Sequence, residues 1–139
     1  MSYDGSCLCG AVRYAFEGEP RRVVNCHCSA CRKATGSSFA TWVLVPLDRF
    51  EWITGSEALR EFASSDDGRR LFCGVCGATM GSVTSLRPKL MHIAAGTLDH
   101  APELKVAFHL YVGSKAKWHE ITDGVPQHDE LPPQPPQAG

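Results

Sequence analysis

The sequence predicts a mainly β domain of small antiparallel sheets with one short helix. Three observations predict it. Strand-like segments are short, frequent and separated by turn residues, which suits antiparallel sheets better than a parallel α/β layout. The cysteines come in close pairs and a triplet that lie far apart in the chain. One stretch, Ser29 to Thr35, is compatible with a helix, and Gly36 follows as its stop.

The elements follow in order. Ala11 to Glu17 alternates like a half-buried strand and ends at Gly18-Glu19-Pro20. Arg21 to Asn25 reads as a second strand leading into the cysteine triplet. Phe39 to Val45 is rich in aromatic and β-branched residues, as strands are. Phe50 to Thr54 is a strand closed by Gly55-Ser56. Leu59 to Ala63 and Arg69 to Cys73 form a hairpin around Ser64 to Gly68. Ala78 to Val83, Leu90 to Ala95 and Val106 to Val112 complete the strands.

A chain of 139 residues makes one domain. With 43% apolar and 21% charged residues it is an ordinary globular composition, with a modest core that a stapling metal would help. A net charge of −1 with mixed signs offers no basic field for nucleic acid or an anionic membrane. No apolar run reaches the ~18–20 residues that span a bilayer. Met1 to Asp4 lacks the basic-then-apolar pattern of a secretory signal, so a cytoplasmic location is expected. Residues 1–123 are expected to form the domain. Residues 124–139, with the run Leu131-Pro132-Pro133-Gln134-Pro135-Pro136, are expected to be a disordered proline-rich tail.

Seven cysteines are an odd number, and with no secretory signal they suit metal better than disulfides. Cys7-Leu8-Cys9-Gly10 and Cys73-Gly74-Val75-Cys76-Gly77 are two knuckles whose four thiolates would close a tetrahedral, structural zinc site. The glycine after each second cysteine tolerates positive φ and lets backbone N–H groups approach the sulfurs. A redox C-x-x-C would instead want a helix starting at the motif in a βαβ setting.

Cys26-His27-Cys28-Ser29-Ala30-Cys31-Arg32-Lys33 places three cysteines where a strand runs into a helix. Three thiolates leave one zinc position open, which is what separates catalytic from structural zinc. The helix N-terminus, Arg32 and Lys33 would offset the negative charge. His27 is a poor fourth ligand because it lies between two ligands, whereas His92 or His109 could reach the site through the fold. A closed structural site and a metal-free redox site are the alternatives. An open zinc would deprotonate an entering thiol and polarise a small carbonyl, so that a thiol and an aldehyde held together would add to each other.

Among the other candidates, His109 is expected to line the pocket and assist proton transfer, and His92 to be a core or surface histidine on a strand. His100, His119 and His128 read as loop or tail residues. Trp42, Trp52 and Trp118 read as core or sheet-face aromatics. Lys115 and Lys117 read as solvated loop residues that could attract a carboxylate.

Gly5-Ser6-Cys7-Leu8-Cys9-Gly10-Ala11-Val12-Arg13-Tyr14, Cys26 to Lys33 followed by Gly36, and Phe72-Cys73-Gly74-Val75-Cys76-Gly77 resemble the three signatures of the glutathione-dependent formaldehyde-activating enzyme family. Gly96-Thr97-Leu98-Asp99, His109, Lys115 and Trp118 are similar to its weaker features. The family also includes the centromere protein V type. The resemblance, over Gly5 to Asp123, implies a zinc-containing fold of the β-tent type. It implies structural zinc on Cys7, Cys9, Cys73 and Cys76, and catalytic zinc on Cys26, Cys28 and Cys31, two ions per chain. It implies a carbon–sulfur lyase that joins glutathione to formaldehyde as S-(hydroxymethyl)glutathione. Cys28 and His109 are then the expected catalytic residues, with glutathione and a small aldehyde as partners. The rival readings are a non-catalytic zinc module for a protein partner and a zinc-stabilised thiol redox protein similar to a methionine sulfoxide reductase.

Overall fold

The computed structural model of the chain describes residues 1–100 and 103–132. Ten strands make two sheets. β1 (Ser2–Ser6), β2 (Arg13–Glu17) and β5 (Phe50–Thr54) form a three-stranded antiparallel sheet in the order β1-β2-β5. The larger sheet contains β3 (Arg22–Cys26), β4 (Ala40–Pro46), β6 (Leu59–Ala63), β7 (Gly68–Cys73), β8 (Thr79–Thr84), β9 (Leu90–Ala94) and β10 (Phe108–Leu110). Its order is β10-β3-β4-β9-β8-β7-β6. Among the described strands every pairing is antiparallel except that of β10 with β3, a parallel pair that the antiparallel expectation missed. The one α-helix among the described residues, α1 (Ser29–Thr35), ends at Gly36 with φ 66°, the left-handed conformation that a glycine stop supplies.

Side-chain alternation divides the labour of the large sheet. Val23, Val43, Val45, Leu71, Met80, Met91 and Ile93 point to one face and pack on Tyr14 and Phe16 of the small sheet, forming the main core. Burying side chains of this size contributes roughly 1.5–3 kcal/mol each. The alternate residues Val24, Cys26, Trp42 and Ala40 point to the other face, where they meet Cys31 of α1 in a second, smaller cluster. The core of the fold and the cysteine triplet therefore lie on opposite faces of one sheet.

Three expectations change. β1 was not foreseen, because Ser-Tyr-Asp-Gly-Ser carries no run of apolar alternation; it forms because β2 offers it an edge from Ser2 to Ser6. The expected tail is in part ordered. His109 N–H donates to the Pro126 carbonyl, His128 N–H to the His109 carbonyl and Tyr111 N–H to the Glu130 carbonyl, so residues 126–130 run along β10 and satisfy its free edge. Residues 133–139 lie outside the described residues. Trp42 is buried as expected, but Trp118 is 74% exposed, its indole N–H donating to the Ser38 hydroxyl.

Candidate metal centres

The loop between β1 and β2 carries Cys7 and Cys9, and the turn between β7 and β8 carries Cys73 and Cys76. All four Sγ atoms lie within 4.8 Å of one another. The Sγ atoms of Cys7 and Cys9 are 3.6 Å apart and those of Cys9 and Cys73 are 3.8 Å apart. Zinc–sulfur bonds of about 2.3 Å in a tetrahedron put sulfurs ~3.8 Å apart, so the donor set fits a zinc-sized thiophilic cation. Gly10 and Gly77 have φ of 82° and 79°, as the two knuckles require. Val12 N–H donates to the Cys7 sulfur at 3.3 Å, and Val75 N–H to the Cys73 sulfur at 3.3 Å. These are the outer hydrogen bonds that steady thiolate ligands. The Ala78 N–H is the main cause that pulls the Cys76 thiol down to about 6.

The second group is Cys26, Cys28 and Cys31, again with all Sγ atoms within 4.8 Å. Cys26 ends β3, Cys28 caps α1, and Cys31 sits in the first turn of the helix. The Cys28 sulfur accepts from Cys31 N–H at 3.3 Å and lies 3.4 Å from the Cys26 sulfur. Hydrogen bonds from Cys26 and Cys31 pull the Cys28 thiol down to about 2, while the same contact with Cys28 pushes Cys26 well above the usual thiol range. One sulfur takes the negative charge and its neighbours hold protons. A bound cation would remove that competition. Among the described residues no fourth Cys, His, Asp or Glu atom joins this group.

The cations near it are not those expected. Arg32 donates to the backbone carbonyls of His27 and Ser114, and Lys33 is exposed. The offsetting charge comes from β7, where Arg70 Nη2 lies 3.7 Å from the Cys31 sulfur. No local motif marks Arg70; the signal is the period of β7, which sends Leu71 and Cys73 to the core and Arg70 to the opposite face.

Cys26 and Cys31 form part of the wall of a cavity of about 480 Å³. Trp42, Leu44 and Phe108 give it an apolar side. Arg21, Arg22, Arg69, Arg70 and Arg87 give it a cationic one. Among the described residues no Asp or Glu lines it, although the chain as a whole has net charge −1. The size is that of a small-molecule site, and the charge favours an anion. His92, read as a bystander, lines this cavity 3.5 Å from the Ser82 hydroxyl; burial, with help from Arg87, lowers its pKa to about 4, so it is neutral at pH 7.

His109 is placed differently from its expectation. Its neighbours Phe108 and Leu110 line the cavity, so His109 points to the other face of β10. There its Nδ1 meets His27 Nε2 at 2.9 Å and its Nε2 meets the Asp123 carboxylate at 3.0 Å. His27 is fully buried, with its N–H donating to the Leu110 carbonyl. The Asp123–His109–His27 chain thus braces the loop that presents Cys26 and Cys28. Lys115 Nζ donates to the His119 carbonyl at 2.7 Å and so braces its own loop.

The model of the glutathione-dependent formaldehyde-activating enzyme family matches residues 2–114. This chain belongs to that family. Membership in the formaldehyde-activating family bears out the resemblance read from the cysteine signatures and the lyase-type enzyme it implied. A Halomonas elongata protein, provisionally named a glutathione-dependent formaldehyde-activating enzyme, is 31% identical over 129 residues, 87% of this chain and 82% of its own length. A Schizosaccharomyces pombe protein named an uncharacterized lyase is 31% identical over 78 residues, 56% of this chain and 55% of its own length. The crystal structure of a Rhodobacter sphaeroides protein is similar in fold, with a TM-score of 0.60 and 24% identity over 71% of this chain and 90% of that one.

Proposed function

We propose that this member of the formaldehyde-activating family is a zinc-dependent carbon–sulfur lyase that forms and breaks S-(hydroxymethyl)glutathione. One observation carries the reading: the cluster with three sulfurs and no fourth described ligand is the one that opens onto a cation-lined cavity. Cys26, Cys28 and Cys31 would hold the working ion, and Cys7, Cys9, Cys73 and Cys76 a structural one. When bound at the three-sulfur cluster, zinc supplies an open position at which a thiol loses its proton or a carbonyl is polarised.

The protein's own residues do the rest. The arginine side of the cavity attracts the carboxylates of glutathione, and the apolar side excludes water from the reacting atoms. In the forward direction the thiolate sulfur attacks the formaldehyde carbon, the carbon–sulfur bond forms, and the carbonyl electron pair moves to oxygen, which takes up the proton that the thiol gave up. Most of the acceleration is proximity. A non-catalytic zinc module would be served better by a fourth protein ligand at the triplet than by a cavity.

Exchange NMR of glutathione with formaldehyde tests this reading. The zinc-loaded protein is expected to speed adduct exchange above the spontaneous rate, and Cys28→Ser to return it to that rate with the fold intact. Spontaneous exchange rates in the presence of zinc-loaded wild-type protein would overturn it.

A further inference from the structure

Arg70 stands out from the other cavity arginines in two ways. Its Nη2 is the cationic group in contact with the cysteine triplet, 3.7 Å from the Cys31 sulfur. Its Nη1 is buried and has no hydrogen-bond partner among the described residues. A guanidinium carries five donors in a rigid plane, and leaving one buried without an acceptor is costly unless something arrives to take it. By comparison, Arg69 donates to the Ser65 and Gly68 carbonyls and pairs with Glu61, and Arg22 lies over the Phe108 ring.

Resting on the adduct chemistry proposed above, we infer that Arg70 is a catalytic residue: one arm of its guanidinium steadies the cysteine cluster, and the other donates to the oxygen that becomes negative as the carbon–sulfur bond forms. The balance is simple. The sulfur electron pair makes the new bond, the carbonyl π pair becomes the oxygen lone pair, and Arg70 donates a hydrogen bond to that oxygen until the proton that the thiol gave up neutralises it. In the reverse direction the same donor holds the alkoxide as the carbon–sulfur bond breaks. Arg70 keeps its own proton throughout. A fixed donor aimed at charge that develops only in the transition state raises kcat without tightening the ground state.

The test uses full-length zinc-loaded protein. Arg70→Gln is expected to lower kcat for adduct formation by ~10²–10³-fold, with KM for glutathione moved by less than about threefold. Arg70→Lys, which keeps the charge but loses the fork, is expected to recover part of that rate. Zinc per chain, read by native mass spectrometry, is expected to stay at the wild-type value. A readout without turnover runs beside it: calorimetric binding of S-(carboxymethyl)glutathione against S-ethylglutathione. The wild-type protein is expected to prefer the charged analogue by roughly tenfold or more, and Arg70→Gln to lose that preference. Unchanged kcat in Arg70→Gln, a loss confined to KM, or loss of zinc from both variants overturns the inference. If the wild-type protein gives no acceleration, the proposed function fails, and the Arg70 anion site stands or falls on the calorimetry alone.

Discussion

Three sulfurs crowded at the end of one strand and the start of one helix cannot all ionise without a cation, and the split between Cys26 and Cys28 expresses that conflict. Cys28 sits at the helix cap, where it accepts from Cys31 N–H, so it is the sulfur that carries charge first. Cys28→Ser is therefore expected to remove the ion of this cluster, leaving one zinc per chain by native mass spectrometry, with far-UV dichroism unchanged. Cys73→Ser acts on the other cluster and on the main core, in which Cys73 is fully buried. That variant is expected to lose several kcal/mol of stability or fail to fold. Equal thermal stability of the two variants would contradict the division of roles. His92 gives a pH dependence. Its pKa is lowered from the ordinary 6.5 to about 4, first by burial and then by Arg87, so between those values the unfolded chain binds the proton and the folded chain does not. Stability from this residue is thus present above pH 6.5 and falls as the pH drops toward 4. His92→Gln is expected to flatten the decline in denaturant midpoint over that window. An unchanged slope would assign the acid sensitivity elsewhere.

At the scale of the element, alternation is what assembles the cavity. Arg70 of β7, Ser82 of β8, His92 of β9 and Trp42 of β4 stand on the same face of adjacent strands, although they are scattered through the sequence. Strand positions were legible in the sequence because β-branched and aromatic runs bounded by glycine and proline mark them. Neighbours in the sheet were not, because the order β10-β3-β4-β9 depends on tertiary packing and no local signal sets it. For that reason both knuckles and the triplet could be read from spacing, whereas Arg70 and His92 could not. The misplacement of His109 has the same origin: a shift of one residue along a strand exchanges faces, and Phe-His-Leu does not say which face is the pocket. The close pairing of β8 with β9 can be tested at Gly81. A Cβ there would come 2.6 Å from the His92 carbonyl oxygen, which is backbone and cannot move aside. Gly81→Ala is expected to cost roughly 1–3 kcal/mol and to shift His92, measured as a lower denaturant midpoint with an altered His92 imidazole resonance. A midpoint within error of wild type would show that the two strands can separate without penalty.

At the scale of the whole molecule, the four-cysteine cluster ties the two sheets together at the edge of the main core that they share, since Cys7 and Cys73 are themselves members of that core. Cys7 and Cys9 belong to the small sheet's first loop, Cys73 ends β7 of the large sheet and Cys76 lies in the turn after it, with Cys9 and Cys73 64 positions apart. Closing a loop of that length in the unfolded chain costs about 4 kcal/mol of entropy by the same argument that applies to a disulfide, and an ion bound only in the folded state adds its own binding energy. The triplet closes no such loop: Cys26, Cys28 and Cys31 are within five residues of one another. The two ions should consequently report on different things. A chelator titrated against the zinc-loaded protein is expected to take the three-sulfur ion first, since it has fewer protein ligands and opens onto the cavity. Adduct exchange would be lost at that step while near-UV dichroism and the thermal midpoint stay close to their starting values. Removal of the second ion is expected to lower the midpoint by on the order of 10–20 °C and to weaken the near-UV signal, because that ion ties the loop after β1 to the β7–β8 turn beside the core that joins the sheets. The order matters more than the size. If unfolding accompanied the first ion, the triplet would be the structural staple, and the cation-lined cavity would have to be explained without a working metal in its wall.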